Sequence, residues 1–263
     1  MLKTSRIALV LVACAVVLPA GGCARNKVKT DTAYVATDVN TLYGLAKKRM
    51  EQGRYAESAK LFDEVERQHP YSVWARRAQL MSAFSYYMAR SYPETISSAQ
   101  RFLTIHPGNK DAPYAHYLIA MSHYNQIADV TRDQRVTQQA SDAFNELIRR
   151  YPESRYSADA RLKLDLINDH LAGKEMEVGR FYQRSGNWLA SVSRFRVVVD
   201  KYQTTSHTPE ALLRLVESYL ALGIPAEAQK AAAVLGRNYP GTDWYQRAYA
   251  LIGRHSPQPA AAS

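Results

Sequence analysis

The sequence predicts an all-α chain, an elongated solenoid of about five helix hairpins with an extra or extended helix before the fourth. Three observations point there. Apolar positions recur at helical spacing between turn glycines. An aromatic residue or histidine, usually followed by proline, closes each segment. The closing positions 70, 107, 152, 203 and 240 lie 37, 45, 51 and 37 residues apart, close to the length of a helix pair.

Residues 1–22 come first, with Lys3 and Arg6, an apolar run from Ile7 to Ala20, then Gly21 and Gly22 before Cys23. About 14 apolar residues fall short of the roughly 20 that cross a bilayer, so the segment reads as a lipoprotein signal peptide. The end resembles a bacterial lipobox with Ala20 in place of the usual Leu, which makes Cys23 the expected lipidation site. Leu11 to Cys14 form a second such string, but they leave too few apolar residues behind Arg6; an ordinary signal cut nearby, with Cys23 a free thiol, is the alternative. Several acyl chains, at about 0.8 kcal/mol per buried CH₂, would hold the chain on a membrane. Ala24, where an Asp would resemble an inner-membrane retention signal, is similar to an outer-membrane address. Losing the signal removes Cys14, and the one remaining cysteine can close no intrachain disulfide, so packing alone must hold the fold. Residues 23–40 are polar without a strong period and read as a flexible tether.

Residues 41–154 read as the first three hairpins. Gly53 to Phe62, closed by His69 and Pro70, resembles the second half of a tetratricopeptide (TPR) repeat. Tyr92, Phe102, His106 and Pro107 repeat the pattern, and Ala140, Phe144, Leu147, Tyr151 and Pro152 form a third copy. The 45-residue interval holds a polar insertion, Asp129 to Arg135. Residues 155–250 read as a linking helix and hairpins four and five. Leu162, Leu166, Ile167 and Leu171 recur at helical spacing over 157–172, predicting a strut loosened around Gly173. Gly186, Trp188, Ser191, Phe195, Val198 and Tyr202 mark the fourth copy, with Gln203 in the proline position; Leu212 to Pro240 mark the fifth. Gly53, Gly186 and Gly223 are placed for positive φ, Ser58, Ser191 and Ala228 for close helix approach. One hairpin cannot bury its stripe alone, so neighbours must stack. Residues 251–263 read as a disordered tail.

The net charge of +10 admits nucleic acid, anionic lipid or acidic protein, and export argues against nucleic acid. No phosphate loop, HExxH, CxxC or nucleophile elbow occurs, and the expectation is a protein that is not an enzyme and needs no cofactor or metal. His69 and His106 share one repeat position and read as structural; His116 and His123 lack a third ligand; Asp165, Asp169 and His170 read as a solvated face. What remains is a binding surface. The first helices of the hairpins place Tyr43, Lys47 and Met50, then Leu80, Phe84 and Tyr87, then Tyr117, Met121 and Tyr124 along one aromatic groove, alongside their share of inter-repeat packing.

Signal, tether and five hairpins together resemble the BamD family, TPR lipoproteins of the β-barrel assembly (BAM) machine in Gram-negative outer membranes. The most specific stretch is Tyr182, Arg184, Gly186 and Trp188, then Ser193 and Arg194, then Lys201 and Tyr202; Ser185 intrudes, Ser193 replaces Asn, and Gln203 replaces Pro. The resemblance implies an outer-membrane lipoprotein facing the periplasm. Its C-terminal repeats would bind the POTRA domain of BamA, with Arg194 matching the contact arginine. Its N-terminal repeats would receive unfolded outer-membrane β-barrel proteins, for which Tyr71, Trp74, Phe84 and Tyr87 are the candidates. Other BAM lipoproteins would be further partners. Two rivals are a periplasmic TPR lipoprotein scaffold coordinating cell-wall enzymes, separable by co-purification, and an enzyme within an α-helical frame, which would require a pocket of convergent polar groups.

Overall fold

The computed structural model describes residues 37–255, which form eleven α-helices. These are α1 (Val39–Glu51), α2 (Tyr55–Gln68), α3 (Val73–Met88), α4 (Tyr92–Ile105), α5 (Ala112–Tyr124), α6 (Arg135–Arg150), α7 (Arg155–Arg184), α8 (Trp188–Lys201), α9 (Thr208–Ala221), α10 (Pro225–Asn238) and α11 (Asp243–His255). Each packs on its sequence neighbours, giving the hairpins α1/α2, α3/α4, α5/α6, α7/α8 and α9/α10 of a TPR-like solenoid, with α11 packed against α9 and α10.

The repeat is written in the turns. Gly53, Gly186 and Gly223 sit at φ 73°, 73° and 72° between the helices of their hairpins, where a Cβ would be strained. In the second hairpin Arg90 takes this conformation at φ 60° without the glycine. The closing residues His69, His106, Tyr151, Tyr202 and Tyr239 end their helices at φ between −124° and −135°. Each of their carbonyls accepts the N–H of the third residue on: Ser72, Asn109, Ser154, Thr205 and Thr242. Gln203 serves as well as proline because this turn does not use the N–H that proline lacks. Four residues before each closure stand Val65, Phe102, Leu147, Val198 and Leu235, all buried, and eleven before it stand the buried small residues Ser58, Thr95, Ala140, Ser191 and Ala228. Burying such apolar side chains stabilises by about 1.5–3 kcal/mol each, and the small residues let successive helices approach.

Three expectations need correction. Residues 155–184 form one uninterrupted helix, about 45 Å long at 1.5 Å per residue, with no loosening at Gly173. Gly173 is buried, and a Cβ there would lie 3.2 Å from the His207 Nε2 and 3.7 Å from Val130, so the missing side chain serves close packing and not a break. Asp165 is exposed, but Asp169 and His170 are not merely solvated. The Asp169 carboxylate accepts from the Ser206 N–H and Oγ at 3.0 and 2.7 Å, while His170 Nδ1 meets Gln134 Oε1 at 3.1 Å. With Lys174 donating to the Thr131 carbonyl at 3.1 Å, the polar insertion and the α8–α9 turn are both pinned to the middle of α7. Finally, residues 251–255 belong to α11 and not to a tail, because Leu251 and Ile252 pack against the C-terminal core; residues 256–263 lie outside the described residues.

Candidate binding surfaces

The first two hairpins enclose a cleft of about 1350 Å³ lined by α1, α3 and the turn from α4 to α5. Its aromatic wall is Tyr43 on α1 against Trp74 on α3, with ring centroids 4.6 Å apart. Tyr43 also packs edge-on against buried Phe62 at 5.3 Å, which fixes the wall to the repeat core. The Arg77 guanidinium lies 5.9 Å from the Trp74 ring, within cation–π range. Burial pushes the Tyr43 hydroxyl above its ordinary pKa, with the Arg77 charge and a hydrogen bond from it opposing the shift. Leu80, Met81 and Phe102 supply apolar lining. Lys47, Arg76, Arg77 and Lys110 supply cations against a single acid, Asp111. An open cleft with an apolar floor, two tilted rings in contact and a cationic rim can hold an extended polypeptide carrying aromatic and acidic groups.

Of the four residues expected to meet substrate, Trp74 alone lines this cleft. Phe84 and Tyr87 face the next layer, packed against Ala83, Phe102 and Leu118; the Tyr87 hydroxyl accepts from Asn125 Nδ2 at 2.9 Å. Tyr71 stands on the α2–α3 turn with its side chain fully exposed. Farther along, the expected groove is filled by the chain itself. Tyr117 packs against the Tyr156 ring at 5.2 Å and donates to Asp159 at 2.6 Å, and Met121 and Tyr124 pack into the core around Phe144. The long α7, brought alongside α5, supplies that filling. Arg77, which completes the wall, was not singled out in the sequence; its place one helical turn after Trp74 was the available signal.

Arg194 lies on α8 with its Nη1 donating to Glu175 Oε2 of α7 at 3.2 Å, their side chains 43% and 23% exposed. Arg194 thus spans the hairpin, and its partner Glu175 was not singled out in the sequence. Beneath this pair Phe195 and Val198 are fully buried, and Gly179 of α7 lies so close that a Cβ would fall 2.5 Å from the Phe195 ring. The arginine therefore sits on a rigid helix pair. Trp188 is half-buried at the start of α8. Cys23 lies outside the described residues.

His116 is half-buried with its ring 5.6 Å from that of Tyr151, and burial lowers its pKa; His123 is lowered for the same reason. Among the described residues no three His, Cys, Asp or Glu side chains are grouped to hold a metal ion, and no helix is long and apolar enough to cross a membrane.

A family model described as an outer membrane lipoprotein matches residues 35–235. The chain is 48% identical over 97% of its length to the outer membrane protein assembly factor BamD of Caulobacter vibrioides, of which it covers 82%. It is 43% identical to the protein of the same name from Rickettsia prowazekii, covering 88% of this chain and 91% of that one. For the Neisseria meningitidis serogroup A protein, again of that name, the values are 30%, 88% and 91%. Among solved structures, a thermophilic TPR protein of Thermus thermophilus aligns with a TM-score of 0.37 at 17% identity, over 81% of this chain and 98% of that one.

Proposed function

The chain belongs to the BamD family of outer membrane protein assembly factors, and we propose that it acts there as a two-ended adaptor held to the membrane by lipid on Cys23. The anchor places it on the periplasmic face of the outer membrane. The cleft of the first two hairpins receives unfolded β-barrel chains, and the α7/α8 hairpin holds the POTRA domain of BamA through Arg194; other BAM lipoproteins complete the assembly. These tasks ask for surfaces and not for a catalytic centre or a cofactor. The observation that carries the reading is the cleft of Tyr43, Trp74 and Arg77, open enough for a polypeptide and built on rigid repeats.

The chemistry is recognition by differential burial. An aromatic side chain entering against the Tyr43 and Trp74 rings buries apolar area, while Lys47 and Lys110 attract carboxylates at the rim. Trp74 and Tyr43 form the centre of this site, and Phe84 and Tyr87 the support on the next layer; Tyr71 stands outside the cleft. At the other end Arg194 engages Glu175 through Nη1, so its other donors are available to a partner carboxylate.

Affinity capture of the tagged protein from detergent-solubilised envelopes tests the reading. BamA should be recovered at near-equal amount. Recovery of peptidoglycan synthases or hydrolases without BamA would replace this reading by that of a cell-wall scaffold.

A further inference from the structure

The chain enters the described fold through a clamp. The Thr37 N–H donates to Gln68 Oε1 at 2.8 Å, and the His69 ring nitrogen Nε2 meets the Thr37 carbonyl at 2.7 Å. Both backbone groups of one residue are thus held by the end of α2, more than thirty positions away in sequence. The next residues of that corner, Pro70, Tyr71 and Val73, are exposed, Tyr71 at 101% and Val73 at 79%. The Tyr71 ring contributes nothing to the packing of its own fold. One turn further on, Arg76 is exposed, and neither it nor Lys110 makes an ion pair with an acid among the described residues. Glu64 is held by Arg67 and Gln68, Glu66 by Gln79 and Arg101, and Asp38 by Thr41, which leaves Asp111 as the one acid of the cleft lining.

We propose that this corner rests on an anionic lipid surface, with Tyr71 and Val73 entering the headgroup layer and Arg76 lying against phosphates. The proposal rests on the reading that Cys23 carries the anchor. Thirteen residues, 24–36, separate Cys23 from Thr37, and a chain of that length spans at most about 45 Å. The clamp fixes the folded end of that segment at Thr37, on the Tyr71 corner. Those thirteen residues carry Arg25, Lys27 and Lys29 against Asp31, the balance expected of a segment lying near anionic headgroups. Tyrosine suits this depth because its ring is apolar while its hydroxyl stays with water. A corner seated in this way would hold the Trp74 cleft, whose rim includes Val73, close to the membrane that receives the folded chains.

The mature chain with Cys23→Ser contains no cysteine, so one can be placed at will. Tyr71→Cys and, on α8, Leu189→Cys, each at an exposed site, are labelled with an environment-sensitive fluorophore. They are mixed with vesicles of phosphatidylethanolamine and phosphatidylglycerol, or of phosphatidylcholine alone. The label at 71 should shift to the blue and become shielded from an aqueous quencher on the anionic vesicles only, while the label at 189 stays in water. Arg76→Gln should weaken vesicle binding of the Tyr71→Cys protein by about fivefold, the effect of one cation near a charged surface. Labels that both remain aqueous, or that respond alike, would overturn the proposal. So would a label at 71 that responds to peptides from barrel proteins and not to vesicles, since the corner would then belong to the polypeptide cleft. This protein carries no acyl chain, so the outcome is independent of the anchor reading, which the mass of the mature N-terminus tests separately.

Discussion

Replacing Arg194 by glutamate puts two carboxylates where an ion pair now joins α7 to α8. The pair is 3.2 Å long and its side chains are 43% and 23% exposed, so solvent screens it, and losing it costs the fold about 0.2–1 kcal/mol, with a similar amount added by repulsion. Binding should suffer more. If a POTRA-domain carboxylate is desolvated against this arginine, Arg194→Glu loses about 2–5 kcal/mol of association, or roughly 30-fold or more in Kd. The double variant Arg194→Glu/Glu175→Arg separates the effects, because it restores the internal pair in reversed order. Urea unfolding should return close to the parent value in the double variant, while calorimetric affinity for the isolated POTRA domains stays low. A double variant that recovers both would mean that Arg194 acts only by tying α8 to α7. A single variant that binds the POTRA domains unchanged at low salt, where charge effects are least screened, would remove Arg194 from the interface.

Gly179→Ala should destabilise the protein by about 1–3 kcal/mol in urea unfolding, because the new Cβ falls 2.5 Å from the Phe195 ring; no change would mean that α7 and α8 are less closely packed than described. Acid should weaken the fold through His106, His116 and His123, whose pKa values burial holds below the ordinary 6.5. The unfolded chain then binds more protons, so their contribution is complete above about pH 6.5 and is lost as pH falls through the lowered values. His116→Gln should flatten this slope in pH-dependent thermal unfolding, and an unchanged slope would exclude His116 as a source.

How far the fold is legible depends on what each residue reports. Periodicity and closing residues locate every hairpin, since Val65, Phe102, Leu147, Val198 and Leu235 face inward for local reasons. Gly173 misleads because the signal of glycine is ambiguous: the same residue breaks a helix or admits a neighbour, and only the position of His207 decides. The site is harder to read. Trp74 and Tyr43 announce an aromatic surface, but which tyrosines remain free depends on α7 packing beside α5, a contact between residues far apart in sequence. Tyr117 is consumed by Asp159 and Tyr156 for that reason, and Arg194 gives one of its donors to Glu175 across the α7/α8 hairpin.

The central claim is that one chain binds unfolded barrel proteins at its first two hairpins and its membrane partner at the fourth. The most direct measurement titrates parent, Trp74→Ala and Arg194→Glu proteins against two ligands, a C-terminal strand peptide of a barrel protein and the isolated POTRA domains, with circular dichroism as the folding control. Trp74→Ala should lose about 2 kcal/mol or more for the peptide and nothing for the POTRA domains, and Arg194→Glu the reverse. Losses that fall on both ligands together, or on neither, in variants that remain folded would contradict the account.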